Sequence, residues 1–213
     1  MKAATATAKS TALIVVDVQN DFCPGGALAV TGGDEIVPLV NRLIDHFAHV
    51  VLTQDWHTPS HTSFASQHEG KAPFESIELS YGPQTLWPDH CVQGTPGAAF
   101  HPDLRWTKAE LILRKGFHTP IDSYSAFYEN DRTTPTGLAG YLRDRGLSKI
   151  ALVGLATDFC VAFSALDAVT HGFETSVLLD GCRAIDLSGS LAASETAMRD
   201  AGVNLTTASA FVG

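Results

Sequence analysis

A chain of 213 residues with 45% hydrophobic and 17% charged residues has the makeup of a globular protein, and its length lies within the range of one α/β domain spanning residues 1–213. A formal charge of −9, with no Lys/Arg cluster, argues against nucleic acid and anionic membrane surfaces as partners. The longest apolar runs, residues 12–16 and 150–153, are too short to cross a bilayer, and residues 1–10 lack a secretory pattern, so a frayed start and a cytoplasmic location are expected.

In chain order, short β-branched runs without polar alternation recur between segments of helical period. The first strand is expected at Leu13–Val16 and ends on Asp17. Ile36, Val37, Val40, Leu43, Ile44 and Phe47 then follow a spacing of three and four, which predicts a helix begun by Gly33 or Asp34. A second strand is expected at Val50–Thr53. Residues 58–104 break the rhythm with Pro, Gly, His and Ser, and a stretch of that length inside a compact domain reads as a functional loop, the wall of a pocket. Strands follow at Glu110–Arg114, Lys149–Leu155, Ser176–Leu179 and Val203–Thr207, with helices at Thr136–Arg145, Asp158–Thr170 and Ser188–Ala201. The alternation implies a three-layer αβα sandwich around a six-stranded parallel sheet, with the ligand at the carboxyl ends of the strands.

Three residues at such strand ends could carry chemistry. Asp17 follows five apolar residues, where sheet packing explains a carboxylate poorly; its bland alternative is a cap on a backbone turn. Lys115 closes the strand LILRK and needs an anion there, unless it is a solvated strand end. Cys160 lies in VGLATDFCVAF, where a strand passes directly into a helix that Thr157 or Asp158 can cap. A thiol in a first helical turn is expected to have a lowered pKa and to serve as a nucleophile, against the alternative of a small buried hydrophobe. Together, Asp17 would move the thiol proton, Lys115 would hold the charged pair, Cys160 would form a thioester, and N–H groups at the helix start would bind the oxyanion.

A second constellation is Gln54-Asp55-Trp56-His57 with His90 from the long loop. Residues two apart at a strand end point the same way, so Asp55 and His57 can face one ion with His90. Two His and one Asp suit a divalent Zn²⁺, Fe²⁺ or Mn²⁺ ion with open positions. His61, His68, His101, His118 and His171 have no such spacing and read as surface or loop residues. The four cysteines lack CxxC spacing, which favours reduced thiols; Cys23, Cys91 and Cys182 read as structural.

VVDVQNDF around Asp17, QDWH, WPDHCVQGTPGA, RKG at Lys115 and GLATDFCV at Cys160 occur in order from about Ala12 onward. On these motifs the chain resembles the bacterial nicotinamidases of the isochorismatase-like cysteine hydrolases. The resemblance implies strand order 3-2-1-4-5-6 and deamidation of nicotinamide to nicotinate and ammonia in NAD salvage, with pyrazinamide as a further substrate. It implies the triad Asp17, Lys115 and Cys160, metal ligands Asp55, His57 and His90, ring-stacking walls Phe22 and Trp87, oxyanion donors at the N–H groups of Ala156 and Cys160, and a cis peptide between Leu155 and Ala156. A position that gives some relatives a further metal ligand holds Ser63 here, so that either Ser63 or water would complete the metal shell. In the implied order the strand of Lys115 is not next to that of Asp17, so their contact rests on the resemblance. The rival within the fold is a cysteine amidohydrolase for a carbamoyl or ureido substrate, which would not need the metal cluster. Rivals of other classes are a non-catalytic pyridine-binding protein and a receiver-like domain phosphorylated on Asp17, and the latter leaves Cys160 without a purpose. Monomer and small homo-oligomer both remain open.

Overall fold

The computed structural model describes residues 11–212, so the expectation for residues 1–10 lies outside the described residues. The main sheet comprises β1 (Thr11–Val16), β2 (His49–Asp55), β5 (Leu111–Lys115), β6 (Lys149–Leu155), β7 (Glu174–Arg183) and β8 (Asn204–Thr206). Its order is β5-β2-β1-β6-β7-β8 with every pairing parallel, which is the expected 3-2-1-4-5-6 once the six strands are counted alone.

β1 shows why the central strands lack polar alternation. Leu13 and Val15 enter one core with Val37, Val40, Leu43 and Ile44 of helix α1 (Val37–His46). Ala12, Ile14 and Val16 enter the other with α2 (Leu138–Asp144), α3 (Ala162–Thr170) and α4 (Ser190–Asp200). Both faces of the strand are apolar because both are covered. The edge strand β5 departs from this: Ile112 and Arg114 are exposed.

Two expectations need refinement. The loop of residues 58–104 contains an antiparallel hairpin, β3 (Ser76–Leu79) and β4 (Gly82–Thr85), too polar and short to stand out by period. The third helix is not one piece: Thr157–Val161 forms a π-type turn, and α3 begins only at Ala162. Gly154 permits the close approach of β6 to β1 just before this turn, for a Cβ there would meet Val16 O at 2.0 Å. Among the described residues no helix is long and apolar enough to cross a membrane.

Candidate active site and metal centre

Parallel strands carry Asp17, Asp55, Lys115 and Cys160 to one edge of the sheet. Asp17 follows β1 with a positive φ of 48° and is fully buried. Thr53 holds it from β2: the hydroxyl donates to Asp17 Oδ1 at 2.5 Å and accepts the Asp17 N–H at 3.2 Å. Lys115 reaches it although two strands away, because the long side chain crosses the end of the intervening β2. Its ammonium lies 2.8 Å from Asp17 Oδ2, 2.6 Å from Asp55 Oδ1 and 3.3 Å from Cys160 Sγ, and it donates to Ser123 O at 2.9 Å.

Burial and pairing compete for these charges. Burial disfavours the ammonium, yet Asp17 and Asp55 outweigh it and raise the Lys115 pKa well above its usual value. Burial raises Asp17, opposed by Lys115 and assisted by Asp55. Burial would raise Asp55 as well, but Lys115 and His57 hold it well below the usual carboxylate range. The thiol of Cys160 departs from expectation. Burial pushes it well above its ordinary value, Lys115 pulls it down, and Asp17 and Asp55 push it further up. The first turn is π-type and no side chain caps it. Asp158 turns away to accept from the N–H groups of Ile185 and Asp186 at 3.0 and 2.8 Å and from the Ser190 hydroxyl. In that turn the Ala156 carbonyl takes the N–H groups of Phe159 and Val161 and passes over that of Cys160. The peptide between Leu155 and Ala156 is cis.

Asp55, His57 and His90 converge beside this cluster. The Nε2 atoms of His57 and His90 lie 3.4 and 3.7 Å from Asp55 Oδ2. His57 Nδ1 bonds Gly116 O at 2.9 Å and His90 Nδ1 bonds Pro88 O at 2.8 Å. A carbonyl can only accept, so each Nδ1 carries a proton and each Nε2 faces Asp55, the orientation metal-ligating imidazoles adopt. Gly116 makes room, for a Cβ there would meet His57 Cε1 at 2.5 Å. Gln19 fixes the carboxylate by its backbone, accepting the Asp55 N–H and donating to Asp55 O, both at 2.8 Å. Burial disfavours a positive His57, yet Asp55 outweighs it and raises the His57 pKa, so the spot favours a cation.

Two other acidic or histidine groupings lie close enough to hold an ion among the described residues. One, Asp17 with Asp55 and Cys160, already surrounds the Lys115 ammonium. The other adds His61 and Asp122 to His57. His61 lies in the long loop, as expected, but it is fully buried and not at the surface, with its ring centroid 4.4 Å from that of His57. Burial and the His57 charge depress its pKa to about 4. Both ring nitrogens are engaged, Nε2 with the carbonyls of His118 and Ile121 at 3.1 and 3.3 Å and Nδ1 with Ser63 Oγ at 2.8 Å. The Asp55, His57 and His90 set therefore fits an ion best.

Cys160, Asp55, His57 and His90 open on one cavity. Phe22 and Trp87 line it, Phe22 edge-on to His90 at 5.5 Å and Trp87 edge-on to Phe159 at 4.9 Å. Sequence reasoning missed Phe159, Asp122 and Tyr124. The last accepts hydrogen bonds from Trp87 Nε1 and Gln84 Nε2 at 3.0 and 2.9 Å. Their one signal was position, on the stretches that follow β5 and β6 at the carboxyl edge.

The isochorismatase domain pattern matches residues 11–210. This chain belongs to the isochorismatase family. It is 59% identical over 184 residues to the nicotinamidase of Acinetobacter baylyi, covering 86% of each chain. A solved nicotinamidase and pyrazinamidase of Acinetobacter baumanii superposes with a TM-score of 0.93 at 57% identity, over 94% of this chain and 97% of that one. The pyrazinamidase of Pyrococcus horikoshii, solved in complex with zinc, does so with a TM-score of 0.75 at 37% identity, over 93% and 99%.

Proposed function

We propose that this protein is a nicotinamidase, hydrolysing nicotinamide to nicotinate and ammonia through a thioester on Cys160. The observation that carries the reading is the double role of Asp55. Its Oδ1 bonds the Lys115 ammonium of the thiol cluster, while its Oδ2 faces both imidazoles, so a nucleophile and an ion site share one cavity. The similarity to the Acinetobacter nicotinamidases supports the substrate.

In this reading the resting thiol is protonated in its buried setting and Asp17 is the base. Burial gives Asp17 more proton affinity than an ordinary carboxylate has, which suits it to take the Cys160 proton as sulfur attacks the amide carbon. Lys115 stabilises the negative charge that develops on sulfur as the proton leaves, before that charge passes to the carbonyl oxygen. The N–H groups of Ala156 and Cys160 bind the resulting oxyanion. Asp17 gives the proton to the leaving ammonia, then takes a proton from the water that attacks the thioester and hands it to the departing Cys160 sulfur as the carboxylic acid is released.

Asp55, His57 and His90 would hold one divalent ion, Zn²⁺, Fe²⁺ or Mn²⁺. When bound it supplies a Lewis acid that anchors the ring nitrogen and so orients the amide. Phe22 and Trp87 confine the ring, and pyrazinamide, nearly isosteric, fits the same slot. Ammonia release from nicotinamide by the purified protein, lost on chelation and in Cys160→Ala, is the test. Full turnover by metal-free protein contradicts the ion's role. Preference for a carbamoyl or ureido compound favours the rival reading.

A further inference from the structure

Asp122 belongs to neither cluster as read so far, yet it lines the same cavity and is 2% exposed. A buried carboxylate needs donors or a cation. Its Oδ1 accepts the Ser123 N–H at 2.8 Å and its Oδ2 accepts Gln84 Nε2 at 3.0 Å. Gln84 comes from β4, which gives the hairpin of the long loop a task at the site. Each oxygen keeps a further lone pair. Oδ1 stands 4.0 Å from His57 Nε2, the atom that faces Asp55. That separation is too long for a direct hydrogen bond and leaves Asp122 beside the coordination shell of an ion held by that nitrogen.

We propose that Asp122 is the outer carboxylate of the metal centre, accepting a hydrogen bond from a water bound to the ion held by Asp55, His57 and His90. This rests on the metal reading of that site. Water bound to a cation has only its hydrogens to offer, so its partner must accept. Ser123 N–H and Gln84 Nε2 already donate to the two oxygens, so an amide at this position must set its NH₂ against one donor or against the water. The chemistry thus selects a carboxylate over its isostere. His61, the other neighbour of His57, cannot take this part because both its ring nitrogens are occupied.

The test titrates Zn²⁺ into chelator-stripped full chain, against a competing chelator, for wild type, Asp122→Asn, Asp122→Ser and His90→Ala. The expected result is one ion per wild-type chain and a loss of affinity of about 10- to 100-fold in both Asp122 variants, the size found for outer partners of metal ligands. His90→Ala loses more. The metal-free Asp122 variants melt at or below the metal-free wild type, since Ser123 N–H and Gln84 Nε2 lose an acceptor, but the Co²⁺ visible spectrum of Asp122→Asn shifts, which a purely structural role would not cause. Unchanged affinity in Asp122→Asn, or an affinity loss with an unshifted Co²⁺ spectrum, overturns the role of Asp122 and leaves the metal site standing. Failure of the wild type to bind Zn²⁺ overturns the metal reading itself and this inference with it.

Discussion

The thiol side and the ion side of the cavity are equally buried and solve the problem of charge in opposite ways. Around Cys160 the protein supplies its own cation: Lys115 sits among Asp17, Asp55 and the sulfur, and each group raises or lowers the proton affinity of the others. Around His57 and His90 two imidazole Nε2 atoms converge on Asp55 Oδ2, and in the proposed reading the cation there is a bound ion. Asp55 serves both. The difference teaches that burial alone does not mark a metal site; what marks it is an arrangement of donors left without a positive charge of the protein's own.

The largest effect should separate the two sides cleanly. Cys160→Ala should lower turnover of nicotinamide on the order of 10⁶-fold, the scale of deleting a nucleophile in other hydrolases. Zn²⁺ binding should remain, and a joint loss would show the clusters to be one unit. His90→Ala cuts the other way. It should weaken the ion by more than about 100-fold, beyond the effect of outer partners, while the rate of Cys160 alkylation by iodoacetamide stays within a few-fold of wild type.

His61 tests whether the packing beneath the ion side depends on a neutral ring. Its folded pKa of about 4 lies below the ordinary 6.5, so the unfolded chain takes up the proton first. This contribution is complete above pH 6.5 and is lost as pH falls from there toward about 4. Between pH 7 and pH 5 it should amount to about 2 kcal/mol, and denaturant titrations of metal-free wild type and His61→Asn should differ by that much in their pH dependence. Equal slopes would show that His61 is not the group responsible. The smallest effect belongs to Thr53→Val, which keeps shape but removes the hydroxyl from Asp17. A loss of about 1–2 kcal/mol of transition-state stabilisation, roughly tenfold in kcat, is expected with unchanged Zn²⁺ affinity.

The regular part of the molecule was readable from period and position. β1, β2 and β6 are apolar on both faces because both are covered, and their ends put Asp17, Asp55 and the approach to Cys160 where a parallel sheet opens. The hairpin of residues 76–85 was not readable, since its strands are short and polar. The lowered pKa expected of Cys160 was not met because its sulfur is enclosed and burial, with Asp17 and Asp55, outweighs Lys115. His61 was misplaced because nothing in its spacing says that its ring lies under His57.

By itself, the sequence determined the layers, the strand order through its motifs, and the residue types able to attack an amide or hold an ion, because periodicity and strand ends are local properties. Only the tertiary structure decided that Lys115 crosses β2 to Asp17, that Asp55 divides its oxygens between two clusters, and that Asp122 and Tyr124 reach the cavity. Those are contacts between segments 60 or more positions apart, 98 for Lys115 and Asp17, and their energies depend on burial and on facing charges that no local pattern encodes.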